Sequence, residues 1–166
     1  QSRWIDRVIA ASKKFPHQWK LLLHGVNAME TQEIINQKGV SDRVILSTTL
    51  LPPSELTELI QSAKIGIVIY GNTNQNDMLT GFSSEKLSIY LQCGIPIIAF
   101  NYPSYEQIND YQCGVLIDSI DELPNAIAKI LENYSFYQEN AYRCFEEMYK
   151  YSKYFVGVTD YIDSIS

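Results

Sequence analysis

The sequence has few of the residues from which metal sites, disulfide frameworks and nucleic-acid-binding faces are built. Of its 166 residues, two are histidine and three are cysteine. The cysteines are widely spaced, which predicts buried or half-buried free thiols rather than a disulfide framework or a zinc site. Asp and Glu outnumber Lys and Arg by 19 to 13, giving a net charge of -6. Because nucleic-acid binders carry clustered Lys and Arg, this balance argues against that class.

Long hydrophobic runs and the common phosphate-binding fingerprints are also absent. The longest apolar run, residues 65–70, has the length of a strand, far below the roughly 18 residues of a membrane span. Neither GxxxxGK followed by Ser or Thr nor GxGxxG occurs, which disfavours P-loop hydrolases and dinucleotide dehydrogenases. No Ser–His–Asp arrangement or metal-ligand pair can be assembled. Because the chain opens with Gln1 and shows no signal peptide, we interpret it as part of a longer, cytoplasmic protein.

What the sequence does contain is a regular alternation of strand and helix patterns. Short links between them predict a Rossmann-like α/β domain, with a mostly parallel sheet of about five strands and helices on both faces. The predicted strands cover residues 20–24, 43–47, 65–70, 95–100 and 115–117. The predicted helices cover residues 4–15, 31–38, 52–63, 83–93, 104–111, 121–133 and 135–151, and one more helix is expected after them.

The segment that follows the strand at residues 65–70 carries the strongest signal for chemistry. Ligands of open α/β sheets bind beyond the carboxyl ends of the strands. There a polar loop leads into the sequence GFSSEK at residues 81–86, where Ser83 or Ser84 is expected to cap a helix. The unpaired N–H groups of a helix start, two hydroxyls and Lys86 predict an anion site suited to a diphosphate.

Lys86 is the most informative residue of this segment. A cation in the first helical turn opposes the helix dipole by a few tenths of a kcal/mol, whereas a bound phosphate makes the same cation favourable. The alternative is that Lys86 points into water or pairs with Glu85 or Asp77. Glu106, near the start of a later helix, is a candidate acceptor for sugar hydroxyls, or an ordinary first-turn glutamate.

Residues 84–98, SEKLSIYLQCGIPII, resemble a segment in the C-terminal domain of GT-B glycosyltransferases of the family 4-like and galactofuranosyltransferase-like groups. Lys86, Tyr90, Gly94 and Pro96 keep the spacing of that segment, and the likeness continues in order over residues 3–150. It implies a nucleotide-sugar donor-binding domain at residues 1–150, truncated at its start. It also implies a helical tail at residues 151–166 that packs on a missing N-terminal domain.

The resemblance further implies a donor site in which Lys86 and two serines hold the diphosphate, a turn borders the base and Glu106 faces the sugar. The residues concerned are Arg3, Thr48, Thr49, Leu50, Tyr70, Gly71, Ser83, Ser84, Lys86 and Glu106. Lys86 and Glu106 are the candidate catalytic residues. Many family 4 enzymes carry two glutamates with seven residues between them, but Gly81 and Ile89 occupy these positions here, which puts ribose recognition in doubt.

The activity that the resemblance implies is that of a metal-independent glycosyltransferase of the hexosyltransferase type. It would use a UDP- or GDP-sugar and a glycan or lipid-linked acceptor in cell-surface polysaccharide synthesis, in the cytoplasm or at the inner face of the membrane. This fragment alone is expected to be inactive. Two alternatives stay open: a nucleotide-sugar epimerase-like isomerase with His24 as its acid–base group, and a non-catalytic nucleotide-binding or scaffold subunit of a glycosyltransferase complex.

Overall fold

A computed structural model describes residues 2–71 and 78–165, except for the side chains of Ser2, Arg3 and Thr159. The strands are β1 (Leu21–His24), β2 (Val44–Ser47), β3 (Gly66–Val68), β4 (Ile97–Phe100) and β5 (Gly114–Ile117). The helices are α1 (Ser2–Ala11), α2 (Ala28–Lys38), α3 (Pro53–Gln61), α4 (Glu85–Gln92), α5 (Glu106–Asp110), α6 (Leu123–Glu132), α7 (Tyr134–Cys144) and α8 (Tyr151–Ser164). Short 3-10 turns cover Ser12–Lys14, Pro103–Tyr105 and Ile120–Glu122, and a π-helical turn covers Phe145–Tyr149.

The five predicted strands are present, but they form two parallel sheets. β1 pairs with β2, and β4 lies between β3 and β5. The prediction of one sheet of about five strands is therefore wrong. The physical reason is that an apolar cleft separates β1 from β3, so that within the described ranges each has a single hydrogen-bonded neighbour.

Helices cover both faces of the strands, as the alternating pattern predicts. Strand β4 is buried throughout, because its side chains point alternately into two different cores. Ile98 and Phe100 belong to the core formed with α1 and α6, whereas Ile97 and Ala99 belong to the core formed with α4, α5 and α7. This two-sided burial gives the Rossmann-like layering in which strand ends carry the ligand site.

The ends of helices follow local capping signals. Gly94 follows the C-terminal end of α4 and has a left-handed backbone conformation, with φ 66°. The sequence predicted this glycine as the stop of the helix. Helix α2 begins three residues before its predicted start, because the side chain of Asn27 accepts a hydrogen bond from the Glu30 N–H (3.4 Å). Ser135 was predicted to cap α7, but this helix begins at Tyr134 without a side-chain cap.

The predicted C-terminal helix is α8, and it lies on the surface. Its large apolar side chains are exposed to solvent, among them Tyr151, Tyr154, Val156, Tyr161 and Ile162. Across the described part of the chain, no helix is long and apolar enough to cross a membrane.

The prediction of free cysteines is confirmed, since two of the three thiols are buried and the third is half-buried.

Candidate functional site

The cleft between the two sheets is a cavity with a volume of about 660 Å³. We call it the inter-sheet cleft; β1, β3, α1, α3 and α4 line it. At the amino edge of the strands it is lined by Trp19 and Lys64, and at the carboxyl edge by His24, Glu85 and Lys86. The body between these edges is apolar, so the ionisable groups of the carboxyl edge form a polar rim.

Ser84 holds the start of α4 in place. It is 4% exposed, and its Oγ accepts a hydrogen bond from the Leu87 N–H (3.3 Å) as the N-cap of the helix. The same Oγ lies 3.1 Å from the Tyr70 hydroxyl, which follows β3. The Ser84 hydroxyl is therefore engaged on two sides within the protein. Ser83, next to it, is exposed and its N–H donates to the Thr80 carbonyl (3.1 Å).

The positive end of α4 faces the rim. The first helical hydrogen bond runs from Ser88 N–H to the Ser84 carbonyl, so the N–H groups of Glu85 and Lys86 precede the helical ladder. Lys86 Nζ lies 5.9 Å from the centre of the Tyr70 ring, within the range of a cation–π contact. Within the ranges that the structure describes, Lys86 forms no ion pair with a carboxylate. Asp77, a partner considered for it, lies outside those ranges.

The loop before α4 is held by residues from distant parts of the chain. The Gly81 N–H donates to Ser104 Oγ (3.3 Å), and the Tyr149 hydroxyl donates to the Gly81 carbonyl (3.0 Å). Gln107 Nε2 donates in turn to the Tyr149 oxygen (2.7 Å). A Cβ atom at position 81 would lie 1.6 Å from the Ser104 carbonyl oxygen, so this close approach requires glycine.

Tyr149 and Ser104 were not predicted as part of the site. Tyr149 contacts Gly81 from 68 positions further along the chain, and Ser104 contacts it from 23 positions further along. Burial raises the pKa of the Tyr149 hydroxyl, which keeps it protonated and able to donate to Gly81. No local pattern in the sequence indicates such contacts, because they depend on how α5 and the π-helical turn pack against the loop.

Glu106 lies at a different cavity from Lys86. It is exposed at the start of α5 and lines a pocket of about 490 Å³ with Phe82, Pro103 and Tyr111. Phe82, in the loop before α4, lines the pocket of Glu106, whereas Lys86 lines the inter-sheet cleft. The structure therefore places the two candidate catalytic residues at different cavities rather than in one.

The other predicted site residues follow strands at the same edge. Tyr70 and Gly71 come after β3 and are half-buried. Thr48, Thr49 and Leu50 come after β2, and Leu50 is 96% exposed. The side chain of Arg3 lies outside the described part of the structure.

Ligand sets for a metal ion are a separate question. Among the residues that the structure describes, no group of three or more His, Cys, Asp or Glu side chains could hold a metal. His24 instead places its Nδ1 3.0 Å from Ser47 Oγ, which ties the carboxyl ends of β1 and β2 together.

Comparison with known families gives a match over most of the chain. The sequence model of the glucosyltransferase 3-like C-terminal domain covers residues 10–156. The chain belongs to this family. The resemblance of residues 84–98 to C-terminal domains of GT-B glycosyltransferases is thereby confirmed at the level of the family.

Solved structures agree with this membership. The glucosyltransferase 3-like domain is similar to the crystal structure of WaaG, a glycosyltransferase involved in lipopolysaccharide biosynthesis, with a TM-score of 0.66. The two are 19% identical, and the match covers 89% of this chain and 40% of that one. The likeness shows a GT-B Rossmann-like fold. Comparison with curated proteins gives no match.

Proposed function

We propose that this domain binds the diphosphate of a UDP- or GDP-sugar at the start of α4, as the donor half of a metal-independent glycosyltransferase. The single observation that carries the proposal is the position of Lys86. Lys86 lines the carboxyl edge of the cleft from the first turn of α4, its Nζ lies 5.9 Å from the centre of the Tyr70 ring, and it has no carboxylate partner in the described chain. A buried hydroxyl, that of Ser84, fixes this helix start.

The start of α4 and Lys86 favour an anion, whereas the Glu85 carboxylate on the same rim opposes one. The N-terminus of a helix carries a partial positive charge, and a lysine in the first turn adds to it. This arrangement opposes stability in an empty site, but it matches a pyrophosphate, whose charge would be neutralised by the ammonium and backbone N–H groups. Because Ser84 Oγ is already engaged, we expect Lys86 and the backbone to contribute more to binding than the serine hydroxyls do.

The remaining residues of the proposed donor site surround this point. Tyr70 and Gly71 would border the phosphates, and the exposed turn at residues 48–50 would lie beside the base. Glu106 would face the donor sugar from the neighbouring pocket. The acceptor site would belong to an N-terminal domain, which the C-terminal placement in the family name supports.

The acceptor class is proposed on the likeness to WaaG and on the resemblance described above. We propose a glycan or lipid-linked acceptor in cell-surface polysaccharide synthesis, with a hexose as the transferred sugar. The whole protein would work in the cytoplasm or at the inner face of the membrane.

Steady-state kinetics of the full-length protein tests the role of Lys86. Loss of a charged hydrogen bond costs about 1.5–3 kcal/mol, so we expect Lys86→Ala to lower kcat/KM for the donor by roughly 10- to 150-fold. Lys64→Ala is the matched control, because Lys64 also lies over a tyrosine ring (5.3 Å from the centre of Tyr134) and lines the cleft, but at its amino edge. Equal kinetics for the two variants would refute the role.

The same assay separates an enzyme from a scaffold subunit. A transferase releases free nucleotide diphosphate from its donor, by transfer or by slow hydrolysis. If the full-length protein binds nucleotide and neither transfers, hydrolyses nor epimerises any sugar nucleotide offered with lipid and glycan acceptors, the scaffold alternative is correct.

A further inference from the structure

The loop before α4 is anchored from outside at both backbone groups of one residue, Gly81. The Gly81 N–H donates to Ser104 Oγ (3.3 Å), and the Gly81 carbonyl accepts from the Tyr149 hydroxyl (3.0 Å). Ser104 belongs to the 3-10 turn before α5 and Tyr149 to the π-helical turn after α7, so two separate elements hold this residue. Loops at strand ends are usually the more mobile parts of a domain, and this one is held in place.

A short turn transmits this anchoring to the start of α4. The Ser83 N–H donates to the Thr80 carbonyl (3.1 Å), which closes a turn with Gly81 inside it. The residue after this turn is Ser84, the N-cap of α4. The position of the Gly81 carbonyl therefore constrains where the first N–H groups of the helix and Lys86 lie.

Tyr149 lies at the end of a segment whose geometry changes from α to π. The Lys150 N–H donates to the Phe145 carbonyl (3.0 Å), a spacing of five residues instead of four. Gln107 Nε2 donates to the Tyr149 oxygen (2.7 Å), which leaves the proton of this hydroxyl for the Gly81 carbonyl. Single π turns within helical segments are frequent at functional sites.

Tyr149 also contacts the lining of the pocket that contains Glu106. Its ring is stacked with that of Phe82, at 6.1 Å between ring centres, and the buried Gln107 orients its hydroxyl. Phe82 and Gln107 both line that pocket. One side chain therefore contacts the loop before α4 and two residues of the pocket from which Glu106 is proposed to face the sugar.

We propose that Tyr149 is a positioning residue of the donor site, whose hydroxyl holds the loop before α4 ready for the diphosphate. This inference rests on the proposed function, because it takes the start of α4 as the diphosphate site. The physical reason is that a loop already ordered in the free protein need not be ordered when the ligand binds, which raises affinity. Tyr149 acts through the Gly81 carbonyl rather than by contact with the ligand.

A purely structural role for Tyr149 would have a different consequence. Loss of the hydroxyl leaves the Gly81 carbonyl and the Gln107 amide without their partner, which lowers the free energy of unfolding in either case. A protein of ordinary stability stays almost entirely folded after such a loss, and the affinity of the folded molecules does not change. Nucleotide affinity and stability, measured on the same variant, therefore separate the two roles.

Calorimetric binding of UDP and GDP to the full-length protein tests the inference. Tyr149→Phe keeps the aromatic ring and removes only the hydroxyl. We expect the dissociation constant of the preferred diphosphate to rise about three- to tenfold, as loss of one hydrogen bond implies, and that of its nucleoside to stay unchanged. The matched control is Tyr154→Phe, because this exposed hydroxyl also donates to a backbone carbonyl, that of Met148 (3.3 Å). The control should change neither dissociation constant.

Ser104→Ala is the second variant, and it carries the test if Tyr149→Phe does not fold. It removes the other anchor of Gly81 and should raise the same dissociation constant. Unchanged diphosphate affinity in the folded variants, with a lower urea midpoint, would overturn the inference, and so would an equal loss of nucleoside binding. If Lys86→Ala weakens diphosphate binding and Tyr149→Phe does not, the inference alone fails. If neither variant weakens it, the proposed function fails as well.

Discussion

The two adjacent serines before α4 should respond very differently to the loss of their hydroxyls. Ser84→Ala removes the N-cap of α4 and a hydrogen bond with the Tyr70 hydroxyl, both at a residue that is almost fully buried. Ser83→Ala removes a hydroxyl at an exposed position, where the Oγ lies 3.5 Å from the Thr80 carbonyl oxygen. The pair is a matched comparison, because the chemical change is identical.

The magnitude follows from the contacts. Replacing an N-cap serine by alanine costs about 0.5–2 kcal/mol, and a buried group left without its partner costs about 1–3 kcal/mol. We expect the two effects to overlap, so Ser84→Ala should lower the free energy of unfolding by about 2 kcal/mol. Ser83→Ala should stay within about 0.5 kcal/mol, as most surface substitutions do.

Urea unfolding, followed by circular dichroism, measures both variants. With an m value of about 2 kcal/mol per molar urea, Ser84→Ala should move the midpoint down by about 1 M and Ser83→Ala should barely move it. A midpoint for Ser84→Ala equal to that of Ser83→Ala would show that the cap and the Tyr70 contact do not fix the start of α4.

Two further predictions concern the loop before α4. Gly81→Ala should destabilise the protein by about 1–3 kcal/mol, because the new methyl group would overlap the Ser104 carbonyl. The control, Gly157→Ala, lies in open space on α8 and should be neutral or stabilising. The melting temperatures of the two variants test this difference. Burial raises the pKa of Tyr149 above its ordinary value near 10. Above pH 10 the unfolded chain therefore binds fewer protons than the folded one, so the free energy of unfolding falls as the pH rises. Denaturation from pH 8 to 11 should show this loss, and Tyr149→Phe should reduce its slope; an unchanged slope would contradict it.

Local signals predicted the parts of this fold that depend on local physics. The strands at residues 65–70 and 95–100, the stop at Gly94 and the capping of α4 by one of two serines all follow from periodicity and capping preferences. The choice of Ser84 over Ser83 could not be made, because it depends on the Tyr70 hydroxyl and on which serine is buried.

Pairing between distant segments was beyond the sequence. The pattern of five strands does not show that β1 and β3 are kept apart, because edge pairing depends on what lies between the strands. That Lys86 and Glu106 line different cavities could likewise not be predicted, and neither could the contacts by which Ser104 and Tyr149 hold the loop before α4. Patterns of residue type locate the carboxyl edge, and only packing decides which residues share a cavity there.

Nucleotide binding by the full-length protein is the most direct test of a diphosphate site at Lys86. Calorimetric dissociation constants for UDP and GDP, and for uridine and guanosine, separate the phosphate contribution from that of the base. We predict that Lys86→Ala weakens binding of the preferred diphosphate at least tenfold, leaves binding of its nucleoside unchanged, and that Lys64→Ala alters neither. Diphosphate affinity that survives in Lys86→Ala, or falls equally in Lys64→Ala, would contradict the account.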